Sequence, residues 1–210
     1  MNLSKTLQEY LTELSSNSPT PGGGNVAALC GALSASLGTM VGNLTIGKKK
    51  YANVENEMIS VKQKLESYQK TFVELGAKDN AAFEKVMEAF KLPKETDAEK
   101  ESRSKKIEEA TIGAADIPAQ VMKTCADILP LLKIIIDKGN RNSLSDAGVA
   151  ASLIGTAAKS AYLNVIINCS SLSNQTIAQE IKKRADVSIE EISRSSDFLV
   201  EQVVKAIQPA

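Results

Sequence analysis

The chain has 210 residues and a mass of 22.4 kDa, enough for one domain with a sizeable core and no need of a disulfide or metal staple. Lys plus Arg and Asp plus Glu both number 25, so the formal net charge is zero, which disfavours a general nucleic-acid or acidic-membrane footprint. Histidine is absent, which removes Ser–His and Cys–His nucleophile–base pairs, His-ligated metal sites and imidazole proton shuttles. Cys30, Cys125 and Cys169 are odd in number, form no CxxC pair and lie in apolar stretches. They read as free buried thiols in a reducing, cytoplasmic setting. No apolar run follows a basic cap at the N-terminus, so no secretory signal is expected.

Helical patterns run almost throughout, with 25 Ala and 4% aromatic residues, a composition suited to close helix packing. A first helix is expected from about Asn2 to Ser16, with Leu3, Leu7, Leu11 and Leu14 on one stripe. Pro19, Pro21 and Gly22-Gly23-Gly24 end it. A second spans about Asn25 to Gly47. It is uncharged and apolar or small on nearly every face, as a helix surrounded by others should be. The run from Thr20 to Gly47 is long enough for a membrane span, but its Asn, Ser and Thr content and its Pro-Gly start point to a buried helix. The uncharged stretch from Ser160 to Gln179 reads the same way.

Next, Val54, Met58, Val61, Leu65, Tyr68, Phe72 and Leu75 recur at steps of four and three, a coiled-coil-like seam. As one rod from Tyr51 to Phe90 this helix would be roughly 60 Å long, so a bend near Gly76 or a partner subunit is expected. Leu92-Pro93-Lys94 breaks the pattern, and Thr96 with Glu99 forms a capping box. The stretch from Lys94 to Glu109 carries both charge signs and reads as a solvated face. A second seam then runs from Ile107 to Ile135, which Pro118 and Pro130 should kink or divide. Gly139-Asn140 ends it. Ser145 is the expected N-cap of a core helix to about Asn168, and a last helix follows the turn at Ser170–Asn174. The expectation is one all-α bundle of about six principal helices, residues 1–210.

Several features could carry chemistry. Carrying the first seam forward places Asp79 on the inward stripe. Either the seam loosens near Gly76 and Asp79 meets water, or the carboxylate stands at an apolar edge with its proton affinity raised toward a useful value. Pro21, Gly22, Gly23 and Gly24 precede a helix N-terminus, either as a plain turn or as free N–H groups for an anion or a flat polar ligand. Lys48, Lys49 and Lys50 after Gly47 either complement a helix C-terminus or bind a polyanion. Asn164 and Asn168 lie four apart on one face of an uncharged run, where amides need partners. Asp146 and Lys159 are weaker: Asp146 suits a helix N-terminus, and Lys159 can snorkel.

Five segments in order — PTPGGGNVAAL, MVGNLTIGKKKY, DNAAFEKVMEAFKLPK, GNRNSLSDAGVAA and NVIIN — resemble the formiminotransferase-cyclodeaminase C-terminal family, over about Leu7 to Leu172. That family holds formimidoyltetrahydrofolate cyclodeaminases and stand-alone methenyltetrahydrofolate cyclohydrolases. The resemblance implies an all-α homodimer acting on a folate, with no metal or redox cofactor. The family's catalytic aspartate lies in a D-x-x-A-[YF] pattern, here Asp79-Asn80-Ala81-Ala82-Phe83, so the role carries onto Asp79. Gly22 to Gly24 are then expected to meet a polar edge of folate. Lys48, Lys49, Lys50 and Lys94 are expected to bind its glutamate tail, and Asn164 and Asn168 to orient its ring. These residues without a transferase domain point to cyclohydrolysis. Cyclodeamination is the alternative, and a non-catalytic folate- or protein-binding helical dimer is a third reading.

Overall fold

The computed structural model describes residues 5–208, and every regular element among them is helical. Six α-helices follow in order: α1 (Leu7–Leu14), α2 (Gly23–Thr45), α3 (Glu55–Phe90), α4 (Asp97–Lys138), α5 (Leu144–Ser170) and α6 (Gln175–Ile207). Short 3-10 turns, Lys49–Val54 and Arg141–Ser143, lead into α3 and α5. The all-α bundle expected from the sequence is therefore present.

Helices α2 to α6 alternate in direction. α2 runs antiparallel to α3, since Gly24, Gly31 and Gly38 face Asp79, Phe72 and Leu65. It also runs antiparallel to α5, where Ser34 donates to the Ala150 carbonyl at 2.7 Å. α6 runs back along α5, with Val203 over Gly148 and Ser196 over Gly155. The core lies between α2, α3, α4 and α5 and is built from Phe72, Met58, Leu65, Ile128, Leu132 and Ile154. The seam of α3 is the one the four-three spacing predicts, and the helix passes through a buried Gly76 as one 36-residue rod.

Some local expectations differ. The stripe on α1 faces outward: Leu7 is 69% and Leu11 48% exposed, while Leu3 lies outside the described residues. The buried residue of α1 is Tyr10, because the helix docks through that one side chain rather than through its leucines. α2 begins at Gly23, so two of the three glycines are helical. The N-cap of α5 is Ser143 rather than Ser145, since the preceding 3-10 turn, capped by Asn140 on the Asn142 N–H at 3.1 Å, starts the helix early. Pro118 and Pro130 sit inside an undivided α4. Pro118 has no N–H for the Ala114 carbonyl four residues back, and Asn168 Nδ2 of α5 donates to that carbonyl at 3.2 Å. A neighbouring helix thus replaces the missing bond.

α2 and the segment Arg141–Ser170 are long and apolar enough to cross a membrane, and about half of the most apolar 18 residues of each is buried in the bundle (56% and 44%). Each keeps an open apolar face: Leu33, Met40 and Leu44 on α2, and Val149, Leu163 and Ile167 on α5, the last two 67% and 63% exposed.

Candidate active site

The site begins with the register of α2 on α3. Three glycines of α2 at seven-residue intervals each receive one large residue of the α3 seam, also at seven-residue intervals. A Cβ on Gly38 would come within 2.9 Å of Leu65, and one on Gly31 would overlap the Phe72 ring. On Gly24 the intruding group is a carboxylate: a Cβ there would overlap Asp79 Oδ1. The knob-into-hole geometry that buries two hydrophobic residues therefore carries a charged one at its next step.

At that end Asp79 is half-buried, and its carboxylate accepts the backbone N–H of Asn25. Burial pushes the carboxyl above the usual aspartate range, and the Asn25 N–H opposes the shift. The N-cap of α2 is Gly22, which has no side chain to satisfy the first-turn donors. Asp79 supplies that acceptor from another helix, with the positive end of the α2 dipole in front of it. The triglycine start serves two ends: it admits Asp79 at Gly24, and it leaves the first-turn N–H groups of Gly23 and Gly24 without intrahelical partners.

Asn164 of α5 closes the other side of Gly23, whose Cβ position is 3.4 Å from Asn164 Nδ2. Its Nδ2 donates to the Ser160 carbonyl at 2.9 Å. Asn168 donates to the Asn164 carbonyl at 2.9 Å as well as to Ala114. Both donor groups are thus turned into the protein, and the carbonyl oxygens of the two amides have no protein donor among the described residues. Pro21 is buried just before this turn. Asp79, Gly22, Gly23, Gly24, Pro21, Asn164 and Asn168 therefore share one end of the bundle.

Lys48, Lys49, Lys50 and Asp146 lie toward the other end, and Lys94 lies past the site. Lys48, Lys49 and Lys50 are exposed beyond the C-terminal end of α2, about 30 Å along the helix from Gly24. Asp146 lies in the first turn of α5, about 27 Å from Asn164. Lys94 is exposed in the α3–α4 connection, beyond a stretch of α3 that runs about 16 Å past Asp79. Sequence reading missed Asn25 and Tyr10. Asn25 is buried and donates through Nδ2 to the Gly76 carbonyl at 2.7 Å and to Asn80 Oδ1 at 3.2 Å. Its Oδ1 accepts the Tyr10 hydroxyl at 3.0 Å. The signal for Asn25 was a lone amide in the first turn of a helix capped by glycine. Among the described residues no group of three or more Cys, Asp or Glu could hold a metal ion.

This arrangement offers one carboxylate of raised proton affinity, helix N–H groups without intrahelical partners and two amide acceptors around a common end, which suits moving a proton on a polar ring substrate. Residues 6–187 match the formiminotransferase-cyclodeaminase family. Methenyltetrahydrofolate cyclohydrolase of Methylorubrum extorquens is 41% identical over 95% of this chain and 96% of its own length. Formimidoyltransferase-cyclodeaminase of Mus musculus is 30% identical over 90% of this chain, which spans only 35% of that longer protein. The crystal structure of formiminotetrahydrofolate cyclodeaminase from Thermotoga maritima superposes with a TM-score of 0.80 at 30% identity, covering 95% of this chain and 98% of that one. Fold and sequence agree, and the chain belongs to the formiminotransferase-cyclodeaminase family.

Proposed function

We propose that the protein is a methenyltetrahydrofolate cyclohydrolase, with Asp79 as its acid–base group. The observation that carries this reading is the Asp79 carboxylate, seated in the Gly24 hole on the Asn25 N–H with its proton affinity raised. The full-length likeness to a relative of that name supports it. Water attacks the amidinium carbon between N5 and N10 of 5,10-methenyltetrahydrofolate, and ionised Asp79 takes one of its protons. The proton passes to N5 as the carbon–N5 bond breaks. The remaining hydroxyl proton leaves to solvent as the carbonyl of 10-formyltetrahydrofolate forms. The same carboxylate stabilises the cationic substrate electrostatically. The electrophile already carries its charge, so the reaction calls for neither metal nor redox cofactor.

The Gly23 and Gly24 N–H groups face a polar edge of the folate, and Asn164 and Asn168 offer their carbonyl oxygens to ring N–H groups. The protein acts in the cytoplasm as a homodimer, which covers the open faces of α2 and α5. Two copies packed through α2, with the two-fold axis across the helices, run those helices antiparallel. This brings the partner subunit's Lys48, Lys49 and Lys50 to the Asp79 end. It reconciles a lysine cluster about 30 Å away within one chain with a role in holding the glutamate tail.

The likeness to the Thermotoga maritima protein favours a second reading, cyclodeamination. There N10 attacks the formimino carbon on N5, and Asp79 carries the N10 proton to the departing ammonia. Both reactions pass through a tetrahedral carbon. The test mixes the purified protein separately with methenyltetrahydrofolate and with formimidoyltetrahydrofolate and follows near-ultraviolet absorbance. Decay of the first well above its spontaneous rate is expected. Action on the second alone reassigns the enzyme as a cyclodeaminase, and action on neither leaves a folate- or protein-binding dimer.

A further inference from the structure

The reaction leaves one buried group at the site without a role. Asn25 is 1% exposed, and every polar atom it carries at the site is engaged. Nδ2 donates to Gly76 O and to Asn80 Oδ1, Oδ1 accepts Tyr10 OH, and the backbone N–H donates to Asp79. We propose that Asn25 is a positioning residue for Asp79, and that Tyr10 of α1 latches Asn25 in the orientation this requires.

The seam itself does not fix the carboxylate. Leu65 and Phe72 fill the holes at Gly38 and Gly31, but the hole at Gly24 admits the Asp79 side chain without offering its oxygens a side-chain partner on α2. Asp79 has a single backbone donor on α2, where a carboxylate has room for several. The Asn25 amide supplies the missing constraint. Gly76 and Asn80 bracket Asp79 on α3, and Nδ2 reaches both, which ties the first turn of α2 to the turn that carries the carboxylate. The amide holds that tie in one of its two flipped states only. Reversed, Oδ1 would face the Gly76 carbonyl, acceptor against acceptor. The Gly76 carbonyl, which can only accept, selects the productive state, and the Tyr10 hydroxyl, donating to Oδ1, adds a second bond that holds the amide there. Tyr10 is also the one buried residue of α1, so this short helix meets the bundle at a bond that secures the amide.

This inference rests on Asp79 being the acid–base group, and the experiment separates the two claims. The variants Tyr10→Phe, Asn25→Ala, Asp79→Asn and the double variant Asn25→Ala/Asp79→Asn are compared for kcat and KM on methenyltetrahydrofolate and for thermal unfolding. Asn25→Ala is expected to lower kcat about 10- to 100-fold and Tyr10→Phe about 3- to 10-fold, each with KM within about twofold of wild type. In the Asp79→Asn background, Asn25→Ala is expected to lower kcat no further, because its effect passes through that carboxylate. An Asn25→Ala protein with wild-type kcat overturns the proposal. So does one that loses the same factor with and without Asp79. Tyr10→Phe keeps the ring and its packing, so it still tests the latch if Asn25→Ala fails to fold, and an unchanged kcat there overturns it. Wild-type turnover in Asp79→Asn instead removes the catalytic reading, whatever the Asn25 variants do.

Discussion

At Asp79 two opposed effects set the behaviour. Burial disfavours the charged form, while the Asn25 N–H and the α2 dipole favour it, and burial is the larger. A base with raised proton affinity is lost at higher pH than a free aspartate, so the acid limb of the kcat profile should fall above the usual carboxylate range. Linkage gives a second sign. The folded protein binds this proton more tightly than the unfolded chain, so ionised Asp79 costs stability above its folded pKa. That cost vanishes below the unfolded value of about 3.9, where both states are protonated. Asp79→Asn should therefore melt higher than wild type at pH 7, with the gap narrowing as the pH falls through the Asp79 titration. A variant that melts lower at every pH contradicts this account. Asp79 was legible in the sequence because a seam period counts across any residue. Asn25 was not, because its partners Tyr10, Gly76 and Asn80 stand 15, 51 and 55 residues away, and no local pattern encodes such bonds.

The α2–α3 pair turns a single register into two different outcomes. Gly31→Ala pushes a methyl group into the fully buried Phe72 ring, and should destabilise the fold by about 1–3 kcal/mol, read by chemical denaturation. Gly24→Ala meets Asp79 instead. It should expel the carboxylate from the first turn of α2 and lower kcat nearly as far as Asp79→Asn, with a smaller change in denaturation midpoint than Gly31→Ala. Equal stability losses without a difference in activity would argue that Gly24 is only a packing residue. The four-three spacing of α3 and the Thr96 capping box were readable because each is local, and both bonds of that box form. The spacing of glycines on α2 became meaningful only once its partner helix and direction were known. The leucines of α1 misled for the same reason: a stripe shows that a face is apolar, not what covers it. The prolines do not divide α4, and at Pro118 a tertiary partner, Asn168, meets the carbonyl left open.

For the molecule as a whole, helix count, all-α class and family were accessible from sequence, because periodicity and motif order both survive without contacts. How the bundle divides its candidate residues between two ends was not, because that depends on which way α2 and α5 run. If the partner subunit completes the site, mixing Asp79→Asn with the triple variant Lys48→Ala/Lys49→Ala/Lys50→Ala and allowing subunits to exchange should restore activity on polyglutamylated substrate. A statistical mixture places one intact site in about half of the dimers, so roughly a quarter of wild-type activity is expected, with a heterodimer pairing one intact site with one doubly impaired site. Activity that never exceeds the sum of the two parents places the lysines outside the site. The central claim is the role of one carboxylate, and the most direct measurement is turnover of methenyltetrahydrofolate by Asp79→Asn beside the wild-type protein. A fall of about 100- to 10,000-fold with the helical fold intact is predicted. Turnover near that of wild type would contradict it.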